Sequence, residues 1–254
     1  MTTTSQAPGV GATQDEHLEA LSGYQYGWHD SDAAGSAAQR GLNEAVVRHI
    51  SELKGEPDWM RDLRLKALEV YHDRAMATNW GPDISGLDMD HISTYVSPRT
   101  KQARDWDSVP ADIKDTFERL GIPEAERESL AGVGAQYDSE IVYHNMREEV
   151  AKSGVIYTTI EDALHDPQWE GVVHEYFGTL IPPRDHKFAA LHYAVWSGGS
   201  FVYVPAGVTL DCPLQSYFRL NASGAGQFEH TLIIVDEGAE LHFIEGCSAP
   251  KYNV

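Results

Sequence analysis

The last part of the chain, from about Phe188 to Val254, contains short apolar runs that follow one another at close spacing. The runs occupy residues 201–204, 214–220, 228–235 and 241–244, and turn-forming residues at 205–207, 211–213, 221–226 and 236–238 separate them. Short runs of β-branched and aromatic residues between such turns are typical of strands. The sequence therefore predicts a stacked all-β array, which is a sandwich, a barrel or a β-solenoid.

This array is still in progress at Val254, where the sequence shows no capping element. An uncapped array leaves its last strand with an unpaired edge. We therefore expect the chain to be the front part of a longer protein.

Charge and composition exclude several classes of function. The net charge is −20, so the chain as a whole repels phosphate backbones and anionic membranes. No stretch has the length and apolarity of a membrane span, and the N-terminus lacks the basic and apolar regions of a secretory signal. The two cysteines, Cys212 and Cys247, do not form a disulfide framework. We expect a cytoplasmic protein with free thiols, no nucleic-acid partner and no membrane partner.

The chain divides into three predicted regions. Residues 1–24 are small and polar and form a disordered lead-in, 25–183 form a mainly helical α/β domain, and 184–254 begin the β array. Pro182 and Pro183 mark the boundary between the last two regions. Within the helical domain, periodicity and capping residues predict helices at 42–53, 56–70, 108–120, 123–127, 137–150, 160–164 and 168–177, with strands at 92–96 and 155–159.

Few residues carry a chemical signal in their own right. The chain has no phosphate-binding loop that ends in Lys-Ser or Lys-Thr and no helical zinc-protease motif, and its histidines are scattered along the sequence. Cys212 lies in a turn, which favours a structural role. Cys247 is the better candidate for a reactive thiol, because Gly246 before it allows close approach and the thiol is expected to face a groove rather than the core. Spacing alone still favours an inert thiol.

Strand alternation places Tyr217, Arg219 and Asn221 on one face of the second run, and Phe218 and Leu220 on the other. An arginine and an amide in this arrangement either line a polar passage, stabilise a thiolate, or belong to a solvated outer face. The sequence by itself favours the solvated face.

Several motifs in the same order resemble the SufB members of the SufB/SufD family, the scaffold subunits of the SUF iron–sulfur cluster assembly system. The carrying segments are PLQSYFRLN at 213–221, GQFEHT at 226–231 and EGCSAP at 245–250. Upstream segments agree with the same family: EPDWM at 56–60, GIPEAER at 121–127 and LAGVGAQYDSE at 130–140. The resemblance covers the chain from about residue 40 to its last residue.

This resemblance implies an α+β protein, in which a mainly helical N-terminal domain precedes a right-handed parallel β-helix that is truncated here at its C-terminal side. It implies a non-enzymatic scaffold in the cytoplasm, with SufC ATPase and SufD as partners. Sulfur would come from a cysteine desulfurase through a SufE- or SufU-type carrier. The implied cofactors are a transient iron–sulfur cluster and reduced flavin in the full complex.

By the same resemblance, Cys247 matches a family cysteine implicated in cluster assembly and is the candidate sulfur acceptor and Fe/S ligand. Arg219 and Asn221 match polar positions implicated in sulfur transfer, and Arg219 is expected to favour the thiolate of Cys247. The remaining cluster ligands are expected beyond the chain end, because one cysteine does not provide the four ligands of a cluster. An intein insertion point or a partial gene model would both account for the length.

Two other functions remain open at this point. A SufD-like structural partner shares the β-helix but does not need Cys247. A β-solenoid enzyme acting on polysaccharide needs paired carboxylates on one sheet face, and Glu229, Asp236 and Glu245 form no obvious pair in the sequence.

Overall fold

The computed structural model of the chain describes residues 40–76, 81, 83–86, 88–96, 102–103, 105–121, 130–222 and 224–249, and only the backbone of Asp112. The predicted lead-in at 1–24, the predicted helix at 123–127 and residues 250–254 lie outside the described residues.

Two helices open the described part of the chain, as predicted. Helix α1 spans Glu44–Lys54, and its first turn is capped by Asn43, whose side chain accepts a hydrogen bond from the amide of Val46 at 3.1 Å. Helix α2 spans Asp58–Asp73. Its buried face consists of Met60, Arg64, Ala67, Leu68 and Tyr71, so a charged residue lies at the centre of this face.

Helix α3 spans Ala111–Arg119 and buries Ile113 and Phe117, as its periodicity predicts. Its start differs from the prediction. Ser108 belongs to a 3₁₀ turn at Trp106–Ser108, and its amide is capped by the side chain of Asp105. A second 3₁₀ turn lies at Met89–His91. In place of the strand predicted at 92–96, Ser93 forms two isolated bridges, to Arg40 and to Ala225.

The helix predicted at 137–150 is wrong. Strands β1 (Gly132–Tyr137) and β2 (Glu140–Met146) form an antiparallel hairpin, and only the short helix α4 (Glu148–Lys152) follows it. The spacing of the apolar residues in this segment also fits a helix. It forms strands instead because β1 pairs with the strand at Leu214–Arg219, about eighty residues later in the chain. Gly132 suits this strand, since a Cβ atom there would lie 2.9 Å from the ring of Tyr157.

The remaining predicted elements are confirmed, with shifted ends. Strand β3 (Ile156–Thr159) leads into helices α5 (Ile160–His165) and α6 (Glu170–Tyr176). Helix α7 (Lys187–Val195) lies at the start of the segment predicted as a β array, so the array begins only at Ser200. Its strands are β4 (Ser200–Val204), β5 (Leu214–Arg219), β6 (Leu232–Val235) and β7 (Phe243–Ser248).

The strands form two sheets, with the orders β2-β1-β5-β7 and β3-β4-β6. Strand β4 pairs in parallel with β6, and β5 pairs in parallel with β7, so two successive segments of the chain stack in register. A parallel bridge between Thr209 and Glu240 continues the stacking between the two sheets. In each sheet, strands from both sides of the predicted boundary at 183/184 pair with each other, and that boundary stays a prediction.

The largest apolar cluster joins α1, α2 and α7 to the sheet that contains β4. Trp196 and Phe201 are fully buried in it. Arg64 reaches this core from α2 and donates to the carbonyl oxygen of Trp196 at 2.9 Å. Within the described ranges, no helix combines the length and apolar character that a membrane span requires.

Candidate functional site

Cys247 lies on β7, one of the two edge strands of its sheet among the described residues, and its side chain is exposed there. Parallel register places Cys247 beside Phe218 and Glu245 beside Ser216. Ser216 points toward the second sheet, because its Oγ lies 2.6 Å from that of Ser200 on β4. Paired residues on parallel strands share a face, so Cys247 and Glu245 both face the space between the sheets.

Gly246 separates these two residues, and its lack of a side chain has a local cause. A Cβ atom at this position would lie 3.0 Å from the ring of Tyr217 on the neighbouring strand. The close approach predicted for this glycine is therefore present, and Tyr217 makes it. It allows β7 to stay in register with β5 up to Cys247.

Arg219 and Asn221 are buried, with exposed fractions of 0% and 4%, so the interpretation of their face as solvated is wrong. The reason is tertiary. Tyr217, on the same face, packs edge-on against Phe117 of α3 at 6.3 Å, and β1 pairs with β5 so that Tyr137 lies opposite Arg219.

The guanidinium of Arg219 donates to Ser248 Oγ at 3.1 Å and to Asn221 Oδ1 at 3.3 Å. Ser248 directly follows Cys247, and successive residues of a strand point to opposite faces. The expectation that Arg219 favours the Cys247 thiolate as a neighbouring cation therefore does not match this register. Arg219 instead fixes the residue that adjoins Cys247.

A cavity of about 430 Å³ opens beside Glu245. Sequence reasoning missed it, because its histidines come from distant segments. Its lining residues are Ile181, His186, Phe188, Ala189, His192, Tyr193, Glu229, His230, Thr231 and Glu245. His192 Nε2 lies 2.9 Å from His230 Nδ1, and the ring of Phe177 stacks on His230 at 4.0 Å.

The acid–base state of this cavity follows from burial. Desolvation, with the nearby Arg64 charge, lowers the pKa of His192 to about 4, and desolvation with His192 and Arg64 lowers the pKa of His230 to about 3. Both rings are therefore neutral at pH 7. Burial, with Glu245 nearby, raises the pKa of the Glu229 carboxyl. The cavity thus combines neutral imidazoles with two acidic side chains, one of which shares the face of Cys247.

Glu229 and Glu245 line the same cavity, whereas Asp236 accepts a hydrogen bond from Tyr203 at 2.6 Å outside it. The sequence does not predict this pair of carboxylates. Glu245 is further held by Thr231, whose hydroxyl donates to it at 3.1 Å.

Hydroxyl groups continue from Ser200 into the space between the sheets. The Tyr157 hydroxyl lies 3.0 Å from Ser216 Oγ and donates to the carbonyl oxygen of Gln215 at 2.7 Å. Complete burial raises the pKa of the Tyr157 hydroxyl, so it remains protonated and acts as a donor.

The second cysteine has a different environment. Cys212 is half-buried and packs against the apolar cluster that includes Leu214 and Val204. This packing agrees with the structural role predicted for it. In the part of the chain that the structure describes, no three His, Cys, Asp or Glu side chains are arranged to hold a metal ion.

Comparison with known proteins gives a consistent family. No protein-family model matches the chain. An iron–sulfur cluster assembly SufBD family protein of Mycobacterium tuberculosis (strain H37Rv) is 54% identical over 244 residues, which are 96% of this chain and 28% of that protein. A SufBD family protein of Staphylococcus aureus (strain MRSA252) is 52% identical over 229 residues, which are 90% of this chain and 49% of that protein. The chain thus spans less than half the length of these relatives. Over nearly its whole length, its homologues are iron–sulfur cluster assembly proteins of the SufBD family.

Proposed function

We propose that this chain is part of a SufB-type scaffold on which iron–sulfur clusters are built, with Cys247 as the sulfur acceptor and a cluster ligand. One observation carries the proposal. Cys247 pairs with Phe218 and so lies on the inner face of β7, which it shares with Glu245 of the cavity, in a chain whose homologues are cluster assembly proteins.

The proposed fold is the start of a right-handed parallel β-helix. The parallel, in-register pairs β4–β6 and β5–β7 support it. They stack the segment that contains β6 and β7 on the preceding segment, which contains β4 and β5. In such a stack the even-numbered positions of β5 face inward, as Ser216 does against Ser200. Cys247 then lies at an inward-facing position of the outermost described coil.

Sulfur acceptance at Cys247 is a thiol–persulfide exchange. The Cys247 thiolate attacks the terminal sulfur of a carrier persulfide, a new S–S bond forms, the carrier S–S bond breaks, and the carrier leaves as a thiolate. One S–S bond replaces another, so the step needs no flavin and no other redox partner.

Iron and sulfur are cargo in this proposal. One cysteine does not complete a cluster site, so the other ligands come from residues elsewhere in the assembly. Arg219 and Asn221 act as supporting residues of the sulfur path. In this role they position the strand that carries Cys247, because Arg219 donates a hydrogen bond to Ser248, the residue next to Cys247.

The proposed partners follow from the resemblance to SufB: SufC ATPase, SufD, and a SufE- or SufU-type carrier with its cysteine desulfurase, in the cytoplasm. The chain itself is proposed to be a non-enzymatic scaffold, and ATP hydrolysis would belong to SufC. A polysaccharide-acting enzyme is disfavoured, because the homologues are named for cluster assembly.

A cysteine comparison in cells tests the proposal. Cys247→Ser and Cys212→Ser are introduced separately into the complete gene product as its only copy, and the activities of iron–sulfur enzymes are measured. We expect Cys247→Ser to lose cluster delivery at normal protein levels, and Cys212→Ser to retain it. Normal delivery by Cys247→Ser, with loss on gene deletion, would contradict the scaffold role and favour a SufD-like structural partner.

A further inference from the structure

The turn between β1 and β2 has an unusual backbone at Asp138. Its φ angle is 53°, and among the described residues it is the non-glycine residue with a positive φ. Aspartate tolerates this left-handed conformation better than most residues, although the conformation still carries strain. The side chain is 5% exposed, so the turn holds a carboxylate inside the protein.

The Asp138 carboxylate is directed at the segment that follows β5. One of its oxygens, Oδ1, accepts hydrogen bonds from the backbone amides of Asn221 at 2.7 Å and Ala222 at 2.9 Å. The amide of Asp138 donates to the carbonyl oxygen of Arg219 at 2.8 Å. Asp138 therefore fixes the main chain at both Arg219 and Asn221.

Tyr137, the preceding residue, fixes the side chain of Asn221. The Asn221 Nδ2 group donates to the Tyr137 hydroxyl at 2.6 Å, which turns the amide oxygen of Asn221 toward Arg219. Arg219 in turn donates to Ser248 Oγ. A continuous series of hydrogen bonds thus leads from the turn to the residue next to Cys247.

We propose that Tyr137 and Asp138 are positioning residues for sulfur acceptance, which orient Asn221 and Arg219 so that the end of β7 presents Cys247 correctly. This inference rests on the proposed function of Cys247, Arg219 and Asn221. It assigns a role to the β1–β2 turn, which lies far from Cys247 in the sequence.

Tyr137→Phe is the sharpest test, because it removes one oxygen atom and keeps the ring that packs edge-on against Phe117 at 6.3 Å. The readout is the rate at which Cys247 gains a persulfide in the complete gene product with its carrier and desulfurase. We expect a decrease of about fivefold to tenfold, the size of effect that one lost hydrogen bond to a buried amide gives. In an Asn221→Ala background, the same substitution should have no further effect.

Asp138 is tested by a matched pair of variants. Asp138→Gly accommodates the positive φ but removes the carboxylate acceptor, and we expect a loss at least as large as that of Tyr137→Phe. Asp138→Asn tolerates the same backbone and keeps a side-chain oxygen, and we expect it to restore the rate to within about twofold. A role confined to stability would instead make the rates follow the melting temperatures of the variants.

The outcomes separate this inference from the proposed function. If Cys247→Ser abolishes persulfide formation and Asn221→Ala slows it, but Tyr137→Phe and Asp138→Gly act at the normal rate, the positioning role is overturned and the function stands. If Asn221→Ala is without effect, the turn has nothing to position and the inference is also overturned. If Cys247→Ser supports normal cluster delivery, the proposed function itself fails.

Discussion

Arg219 and Cys247 lie on opposite faces of two neighbouring strands, although they are only one register position apart. Arg219 pairs with Ser248 and donates to its hydroxyl at 3.1 Å, whereas Cys247 pairs with Phe218 and faces the space between the sheets. A buried cation close in register to a thiol is thus separated from it by the pleat of the strand. We therefore expect Arg219 to act on Cys247 through its contact with Ser248 rather than as a charge beside the thiol.

This relationship predicts how Cys247 reacts when Arg219 is changed. Arg219→Met removes the positive charge, and Arg219→Lys keeps it. In both variants we expect the alkylation rate of Cys247 under native conditions to stay within about twofold of that of the unchanged protein, because neither variant removes a charge on the side of the strand where the thiol lies. Alkylation with iodoacetamide, followed by mass spectrometry of the Cys247 peptide, measures the rate. A much slower rate in Arg219→Met alone would show that the charge does act on the thiol.

The buried pair of Arg64 and Glu56 predicts a large loss of stability when one partner is removed. The guanidinium donates to both carboxylate oxygens, at 2.8 and 2.5 Å, and lies 4.6 Å from the Trp196 ring. Glu56→Gln leaves a buried cation without its counter-charge, so we expect the free energy of unfolding to fall by about 3–5 kcal/mol.

Urea unfolding measures this change, and the double variant Glu56→Gln/Arg64→Met is its control. Because the uncompensated charge is then absent, the double variant should recover part of the loss. If the double variant lost more free energy of unfolding than the two single variants lose together, this explanation would be contradicted.

Gly199 predicts a steric effect that can be separated from backbone strain. Its φ is +103°, and a Cβ atom there would lie 2.2 Å from the carbonyl oxygen of His230. Gly207 has a φ of +72° but nothing within 4 Å of such a Cβ. We expect Gly207→Ala to cost about 1–2 kcal/mol in free energy of unfolding. Gly199→Ala should cost clearly more, and equal costs would mean that the contact with His230 is not rigid.

The histidine pair predicts a loss of stability in mild acid. The pKa values of His192 and His230 in the folded chain are about 4 and about 3, below the ordinary value near 6.5. At pH values between about 4 and 6.5, the two histidines bind more protons in the unfolded chain than in the folded one. The free energy of unfolding therefore falls as the pH drops from about 6.5 toward 4, by an amount on the order of a few kcal/mol.

Unfolding in urea at several pH values measures this slope, with His230→Gln as the comparison. Removing one titrating ring should flatten the slope between pH 6.5 and 4. Glu229 acts in the opposite direction, because its raised pKa lets the folded chain hold a proton more tightly. Glu229→Gln should therefore steepen the loss, and an unchanged slope in both variants would contradict the assignment to this cavity.

Local patterns in the sequence predict most strands and helices, but not the elements that distant pairing decides. The four strands of residues 200–248 follow from alternating apolar runs between turns, and α1 follows from its periodicity and from Gly55 in the left-handed conformation at its end. The hairpin of β1 and β2 has apolar positions that also fit a helix. Only its parallel pairing with β5, some eighty residues later, selects the strand.

The candidate site also combines features that the sequence predicts with features that depend on distant contacts. Cys247 is found from its glycine neighbour and from the resemblance to SufB, and its role stays a prediction. The burial of Arg219 is not visible in the sequence, because α3 and the hairpin cover a face that strand alternation leaves open. The pairing of His192 with His230 likewise depends on α7 and the β4–β6 sheet meeting in space.

Sulfur acceptance at Cys247 is tested most directly on the complete gene product from its own cells, alkylated at once to trap persulfides and then digested. Mass spectrometry of the peptides that contain Cys247 and Cys212 shows which thiol carries an extra sulfur atom. We predict the extra sulfur on Cys247 when the desulfurase is active, its loss when the desulfurase is absent, and none on Cys212. A Cys247 peptide without extra sulfur, in a protein that carries persulfide at another cysteine, would contradict the role proposed for Cys247.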